Sequence, residues 1–214
     1  MIIHIVAGGP EHLIPDLSKY TENEIKWVGV DRGLLYSLKR GIVPAIGIGD
    51  FDSVSEEELS WLRQQCEHLA ISPAEKDQTD IELALDWAII QKPTLIRLFG
   101  VTGGRLDHSL ATIQLLVKGL SNQIEVELID QQNVLSLYEP GTYKVYKELE
   151  YRYISFLPFS EKIQGMTLSN DFKYPLADCD LTWGTSLCVS NELIQETGTF
   201  SFNHGIVIMV KSKD

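Results

Sequence analysis

The chain has 214 residues, 44% of them hydrophobic and 22% charged, which suits one large globular domain or two small ones and excludes a disordered or collagen-like chain. A formal charge of −12 argues against a nucleic-acid partner or an anionic membrane surface, since both demand clustered Lys and Arg. An acidic protein can still hold a nucleotide through metal ions and a few local cations. The cysteines Cys66, Cys179 and Cys188 are odd in number and lack CxxC spacing, so reduced thiols and a cytoplasmic setting are expected rather than a disulfide framework or a zinc site.

Residues 2–7 form a short apolar run without a basic flank, too short for a signal peptide or a membrane span, and are expected to be a first core strand. Gly8-Gly9-Pro10 follows at once, a loop where backbone can approach a ligand closely, although it matches neither a Walker loop nor GxGxxG. A second strand over Ile25–Val30 ends in Asp31-Arg32-Gly33 and leads into a helix over residues 34–40. Asp31 thus sits at the carboxyl end of a strand, where ligands gather in open α/β sheets, or else caps the helix.

The apolar run 42–48 reads as a buried strand ending in Gly49-Asp50-Phe51-Asp52-Ser53. Strand alternation would put Asp50 and Asp52 on one side and Phe51 on the other, in packing. Like charges held that close repel, and a hard divalent ion with oxygen ligands resolves the conflict. A Gly-Asp turn before a capped helix is the other reading, because Ser55 and Glu58 have capping-box spacing.

Leu59, Leu62, Cys66 and Leu69 recur at helical spacing, predicting a helix over residues 55–68 and then a short strand over 69–72. In Asp77-Gln78-Thr79-Asp80, Thr79 and Glu82 have capping-box spacing, and Asp80 is a first-turn residue of a helix carrying Ile81, Ala84, Leu85, Ala88 and Ile89 on one face. Capping leaves Lys76 and Asp77 unexplained. A strand over 94–99 ends in Gly100-Val101-Thr102-Gly103-Gly104-Arg105-Leu106-Asp107-His108, followed by a helix with apolar positions Leu106, Leu110, Ile113 and Val117. Glycines before a helix N-terminus leave room for a phosphate, and Arg105 opposes the helix dipole there and so calls for an anion. A plain glycine loop with an exposed His108 is the competing reading. A strand over 124–129 completes the alternation expected of a mostly parallel sheet.

From about Asn133 helical periodicity gives way to short β-rich runs at 134–138, 143–146, 151–157, 186–189 and 206–210, separated by turn signals such as Glu139-Pro140-Gly141. The expected organisation is therefore an α/β domain over 1–132, with a mostly parallel sheet flanked by helices, and an all-β sandwich over 133–214.

Four clusters, Asp31-Arg32-Gly33, Gly49-Asp50-Phe51-Asp52-Ser53, Asp77-Gln78-Thr79-Asp80 and Gly103-Gly104-Arg105-Leu106-Asp107-His108, resemble in order the N-terminal motifs of the thiamine pyrophosphokinase family, bacterial branch. Lys173-Tyr174-Pro175-Leu176 and Ser190-Asn191-Glu192-Leu193 extend the resemblance over nearly the whole chain. It implies ATP-dependent pyrophosphoryl transfer to the hydroxyl of thiamine, giving thiamine diphosphate and AMP, in a homodimer. Mg2+ would be held by Asp31, Asp50, Asp52 and Asp80, with Asp50, Asp52, Asp80 and Arg105 carrying the reaction. ATP would be lined by Asp31, Ser53, Asp77, Thr79, Gly103, Gly104, Arg105 and Asp107. Thiamine would meet Tyr174, Ser190 and Asn191, and Trp183 is a candidate aromatic wall for the thiazolium cation or else a core or interface residue. Arg32 and Thr112 stand where the family usually has Gly and Asn. A pyrophosphokinase for a hydroxymethyl pterin and a non-catalytic thiamine or nucleotide binder are the alternatives; the β-rich half disfavours the first and the intact carboxylates the second.

Overall fold

A computed structural model describes the chain except residues 53, 67 and 72–76. Two compact units divide it, Met1–Gln131 and Gln132–Asp214. Among the described residues, no helix is long and apolar enough to cross a membrane.

The first unit is built on six parallel strands, β1 (Ile2–Val6), β2 (Ile25–Val30), β3 (Ile46–Gly49), β4 (Leu69–Ile71), β5 (Leu95–Phe99) and β6 (Glu125–Ile129), in the order β4-β3-β2-β1-β5-β6. The central strand has Val6 paired with Gly29 on one side and Phe99 on the other. Ile3, Ile5 and Val6 are fully buried, which explains the unbroken apolar run: a parallel strand covered on both faces has no polar alternation. Helices α1 (Arg32–Lys39), α2 (Glu56–Gln65), α3 (Asp80–Ile90), α4 (Leu106–Leu115) and α5 (Val117–Ser121) make the crossovers from β2 onward, while β1 reaches β2 through two 3-10 turns at Glu11–Leu13 and Leu17–Lys19. α1 lies tightly on the sheet because Gly33 lacks a Cβ, which would come within 2.0 Å of the Val6 carbonyl oxygen.

Local signals set several boundaries. Ser55 closes a full capping box with Glu58, and Thr79 caps α3 by accepting from the Glu82 N–H at 3.3 Å. The run 42–48 becomes a strand only from Ile46; it contains Pro44, which has no N–H to give a ladder. The helix expected through Val117 divides into α4 and α5 where the Leu116 N–H bonds back to Ile113, a tightened turn that buries Leu116.

The second unit is antiparallel throughout. β7 (Asn133–Tyr138), β13 (Val207–Ser212) and β9 (Tyr153–Pro158) pair in that spatial order, and β11 (Leu176–Thr182), β10 (Lys162–Leu168), β12 (Thr197–Phe202) and β8 (Gly141–Tyr146) form a second sheet. Side chains from both sheets share one core, with the Phe156 and Phe200 rings 4.8 Å apart at its centre. The run 186–189 is not a strand: the Val189 N–H bonds back to Ser186 in a turn. β10, β11 and β12 carry weak apolar alternation, and Gly165 at φ 70° interrupts β10 where its register with β11 shifts.

Candidate active site

The strand order reverses direction between β1 and β5, and at that switch the carboxyl ends of β1, β2, β3 and β5 open onto a cavity of about 620 Å3. Gly8, Gly9, Gly100 and Thr102 line it. The Gly9 N–H donates to the Gly100 carbonyl at 2.8 Å, and a Cβ on Gly9 would lie 2.4 Å from the same oxygen. Glycine at position 9 therefore first serves the close passage of two loops.

Asp31 leaves β2 with φ 48° and ψ −123°, a conformation few side chains adopt, and makes no capping bond to α1. The capping alternative thus falls. Its Oδ1 accepts instead from the Phe51 N–H at 3.4 Å, and Gly49 makes room for it, since a Cβ there would be 1.9 Å from that oxygen. Asp31, Asp50 and Asp80 each present an oxygen, all within 4.8 Å of one another. The Asp31 carboxyl is pushed up to about 6, by burial first and then by the charge of Asp80, with Asp50 and Asp52 adding and the Phe51 bond opposing. An all-oxygen, triply acidic donor set that strains its own ionisation suits a hard divalent cation such as Mg2+.

Asp52 lines the same cavity but does not belong to that group of three, and its N–H donates to Asp50 Oδ1 at 3.1 Å. The separation of Asp50 and Asp52 from Phe51 has a different origin from the strand alternation expected. β3 ends at Gly49, Phe51 turns the chain at φ 57°, and its ring, 2% exposed, packs with Leu34, Leu35, Leu62 and Cys66. Asp77, Gln78, Thr79 and Asp80 line another wall. The Gln78 amide is anchored on Asp86 at 3.0 Å, and Lys118 binds both Asp86 and Glu82. Ser53 and Lys76 lie outside the described residues.

Gly104 and Arg105 reach the cavity, whereas Gly103, Asp107 and Arg32 are not on its wall. Gly103, at φ 76°, packs against Leu13, whose Cδ1 would be 1.9 Å from a Cβ there. The anion that Arg105 calls for at a helix start is supplied within the chain: Arg105 bonds both Asp107 oxygens, at 3.2 and 2.6 Å, and holds that carboxyl below its ordinary range. His108, Ser109 and Thr112 also line the cavity. With Arg105 they fall at helical i, i+3, i+4 and i+7 spacing, a signal the glycine motif hid behind the apolar positions Leu106 and Leu110, which are exposed.

In the second unit Tyr174 and Trp183 are 58% and 64% exposed, so Trp183 is not a core residue of its own chain. Ser190 takes φ 58° and donates its N–H to Ser155 Oγ at 2.9 Å. Asn191 is 2% exposed and its side chain is spent on backbone: Oδ1 accepts from the N–H groups of Tyr174 and Glu192, and Nδ2 donates to the Tyr174 carbonyl at 2.8 Å. In this arrangement Asn191 holds Tyr174 in place.

The family model described as thiamin pyrophosphokinase, catalytic domain, matches residues 17–128, and that described as thiamin pyrophosphokinase, vitamin B1 binding domain, matches residues 142–207. A thiamine pyrophosphokinase of Bacillus subtilis is 51% identical over 212 residues, covering 99% of each chain. Thiamin pyrophosphokinase 1 of Caenorhabditis elegans is 25% identical over 158 residues, 70% of this chain and 63% of that protein. A crystal structure of the Bacillus subtilis protein superposes with a TM-score of 0.95 at 50% identity over the whole of both chains, and one from Geobacillus thermodenitrificans with 0.92 at 50% identity over 100% of this chain and 98% of that one.

Proposed function

The chain belongs to the thiamine pyrophosphokinase family, and from that premise we propose that it moves the terminal pyrophosphoryl group of ATP onto the hydroxyl of thiamine, releasing AMP. The observation that carries the reading is the meeting of Asp31, Asp50 and Asp80 in a cavity at the switch point of the sheet. The thiamine hydroxyl oxygen attacks the β-phosphorus, a new O–P bond forms, and the bond from that phosphorus to the oxygen of the α-phosphate breaks as AMP leaves. The hydroxyl proton is released to solvent water.

A transfer of this kind asks the protein for positioning and charge neutralisation rather than for a nucleophile. Asp31, Asp50 and Asp80 would hold Mg2+, with Asp52 beside them, and the ion supplies neutralisation of the phosphate oxygens. Gly104 and Arg105 face the nucleotide from the start of α4, Asp77 and Thr79 from the start of α3. We assign Ser53, Gly103 and Asp107 to the same region on the strength of their motifs. Tyr174, Trp183 and Ser190 are assigned to thiamine, the two exposed rings as partners for its cationic thiazolium, with Asn191 supporting Tyr174. Division into a nucleotide domain, 1–132, and a thiamine and dimerisation domain, 133–214, a homodimer and a cytoplasmic location belong to the same proposal.

Metal dependence tests it. Protein stripped with a chelator should form no thiamine diphosphate from ATP and thiamine, and Mg2+ should restore the reaction in the wild type. Undiminished turnover in the stripped protein would overturn the carboxylate reading.

A further inference from the structure

Just past the end of β6 stand two polar residues that the reaction scheme leaves unused, the first of them buried. Asp130 is 7% exposed, and its Oδ2 accepts the Thr102 hydroxyl proton at 2.8 Å. Its neighbour Gln131 donates its backbone N–H to the Leu13 carbonyl at 2.9 Å and its side-chain amide to the Ile14 carbonyl at 3.2 Å. These contacts reach both loops that meet at the switch of the sheet. Thr102 belongs to the glycine-rich loop after β5, and Leu13 packs where a side chain on Gly103 would stand.

A carboxylate beneath a loop assigned to a polyphosphate is electrostatically costly, because it adds negative charge where the ligand brings more. Packing alone would be served by an apolar residue of similar size. What a carboxylate adds is an acceptor for a hydroxyl that has one proton to give. Once that proton is committed to Asp130, the Thr102 oxygen has only lone pairs left and its rotor is fixed. Among the described residues the loop is also tied by Ser109 Oγ, which donates to the Val101 carbonyl at 3.1 Å, and by the Gly9 N–H, which donates to the Gly100 carbonyl at 2.8 Å. Gly100 and Gly103 both sit at positive φ, at 67° and 76°, so the loop between the ends of β5 and α4 depends on such side-chain ties for a single conformation.

We propose that Asp130 is a positioning residue for nucleotide binding, acting through the Thr102 hydroxyl to hold the loop over residues 100–104 in its binding form. The proposal rests on the assignment of ATP to this cavity. It requires that loss of either partner impair nucleotide binding in the same way, and that loss of both be no worse than loss of one.

The test is equilibrium titration of ATP in the presence of Mg2+, and of thiamine, against wild type, Asp130→Ala, Asp130→Asn, Thr102→Val, Thr102→Ser and the Asp130→Ala/Thr102→Val double variant. Asp130→Ala and Thr102→Val should each weaken ATP binding about tenfold. The double variant should match the single ones, thiamine binding should be unchanged, and Asp130→Asn and Thr102→Ser, which keep the acceptor and the hydroxyl, should restore most of the affinity. A merely structural Asp130 would lower the melting temperature without this split between the two ligands. Unchanged ATP affinity in a folded Asp130→Ala or Thr102→Val protein, or strict additivity in the double variant, overturns the proposal while leaving the ATP assignment intact. Wild type that binds no ATP overturns both.

Discussion

Replacing Asp31 with Asn should make the metal-free protein more stable while impairing what it does. Asn keeps the shape and the oxygen that accepts from the Phe51 N–H, so the unusual backbone at this position need not change. What it removes is one of three negative charges whose oxygens lie within 4.8 Å of one another. Two unit charges at that separation repel by about 0.9 kcal/mol in bulk water and by about 3.5 kcal/mol at an effective dielectric of about 20. Asp31 is only half-buried, so solvent screening favours the lower part of that span, and about 1–2 kcal/mol of stabilisation is expected near neutral pH. For a chain of this size that is about 2–8 °C in melting temperature. The pH dependence has a definite sign. With its carboxyl at about 6 in the fold against an ordinary 3.8, Asp31 binds a proton more readily folded than unfolded. Its contribution to stability therefore falls as pH rises through that interval and is flat above it. Thermal melts of both proteins in chelator from acid to neutral pH should show the difference between variant and wild type growing over that window. Saturating Mg2+ should raise the wild type more than the variant. A variant that melts below the wild type without metal, or a difference that does not vary with pH, would refute the reasoning.

Other perturbations probe other parts of the account. Asp50→Ala and Asp52→Ala should each lower turnover at least about a hundredfold with the melting temperature maintained, and a steady-state assay giving wild-type rates would remove that residue from the metal reading. Arg105→Ala should weaken ATP about tenfold and thiamine much less by calorimetry; unchanged ATP affinity would leave Arg105 as a partner of Asp107 alone. His4 is fully buried among Tyr20, Trp27 and Phe99 with its Nδ1 unpartnered, and burial first, then Arg97, pushes it down to about 4 against the opposing charge of Glu22. Its folded form binds fewer protons than the unfolded chain, so stability is lost as pH falls from about 6.5 toward 4. His4→Phe should flatten that loss in urea midpoints, and parallel curves for the two proteins would contradict the burial argument.

The fold of the first unit is legible because its central strands are largely buried and its caps are local: Ile25–Val30, the Ser55 box and the Thr79 cap all appear in the structure where their residues call for them. The second unit was less legible. In β12 only alternate residues reach the core, and in β11 only Leu181 is fully buried, with Leu176 and Cys179 packed beside it and the rest small or polar, while the apolar segment 186–189 is turn. Within the candidate site, the positions of Asp31 and Asp50 follow from strand ends and that of Asp80 from the capped start of α3, but how the first two face one cavity does not. That depends on left-handed residues, Asp31 and Phe51, which no local preference announces. Arg105 shows the converse limit. Its conflict with the helix dipole was real, yet the anion that answers it in the chain is two residues away. The resemblance implies a thiamine contact at Asn191, whose side chain in the structure bonds the backbone of Tyr174 and Glu192.

The central claim is the transfer of a pyrophosphoryl group, and the most direct measurement is the identity of the nucleotide product. Purified protein is incubated with Mg2+, ATP and thiamine, and AMP, ADP and the thiamine phosphates are quantified over time. AMP should appear in step with thiamine diphosphate, one for one, with attack at the β-phosphorus. ADP appearing with thiamine monophosphate would contradict it, because the carboxylates would then be supporting attack at the γ-phosphorus instead.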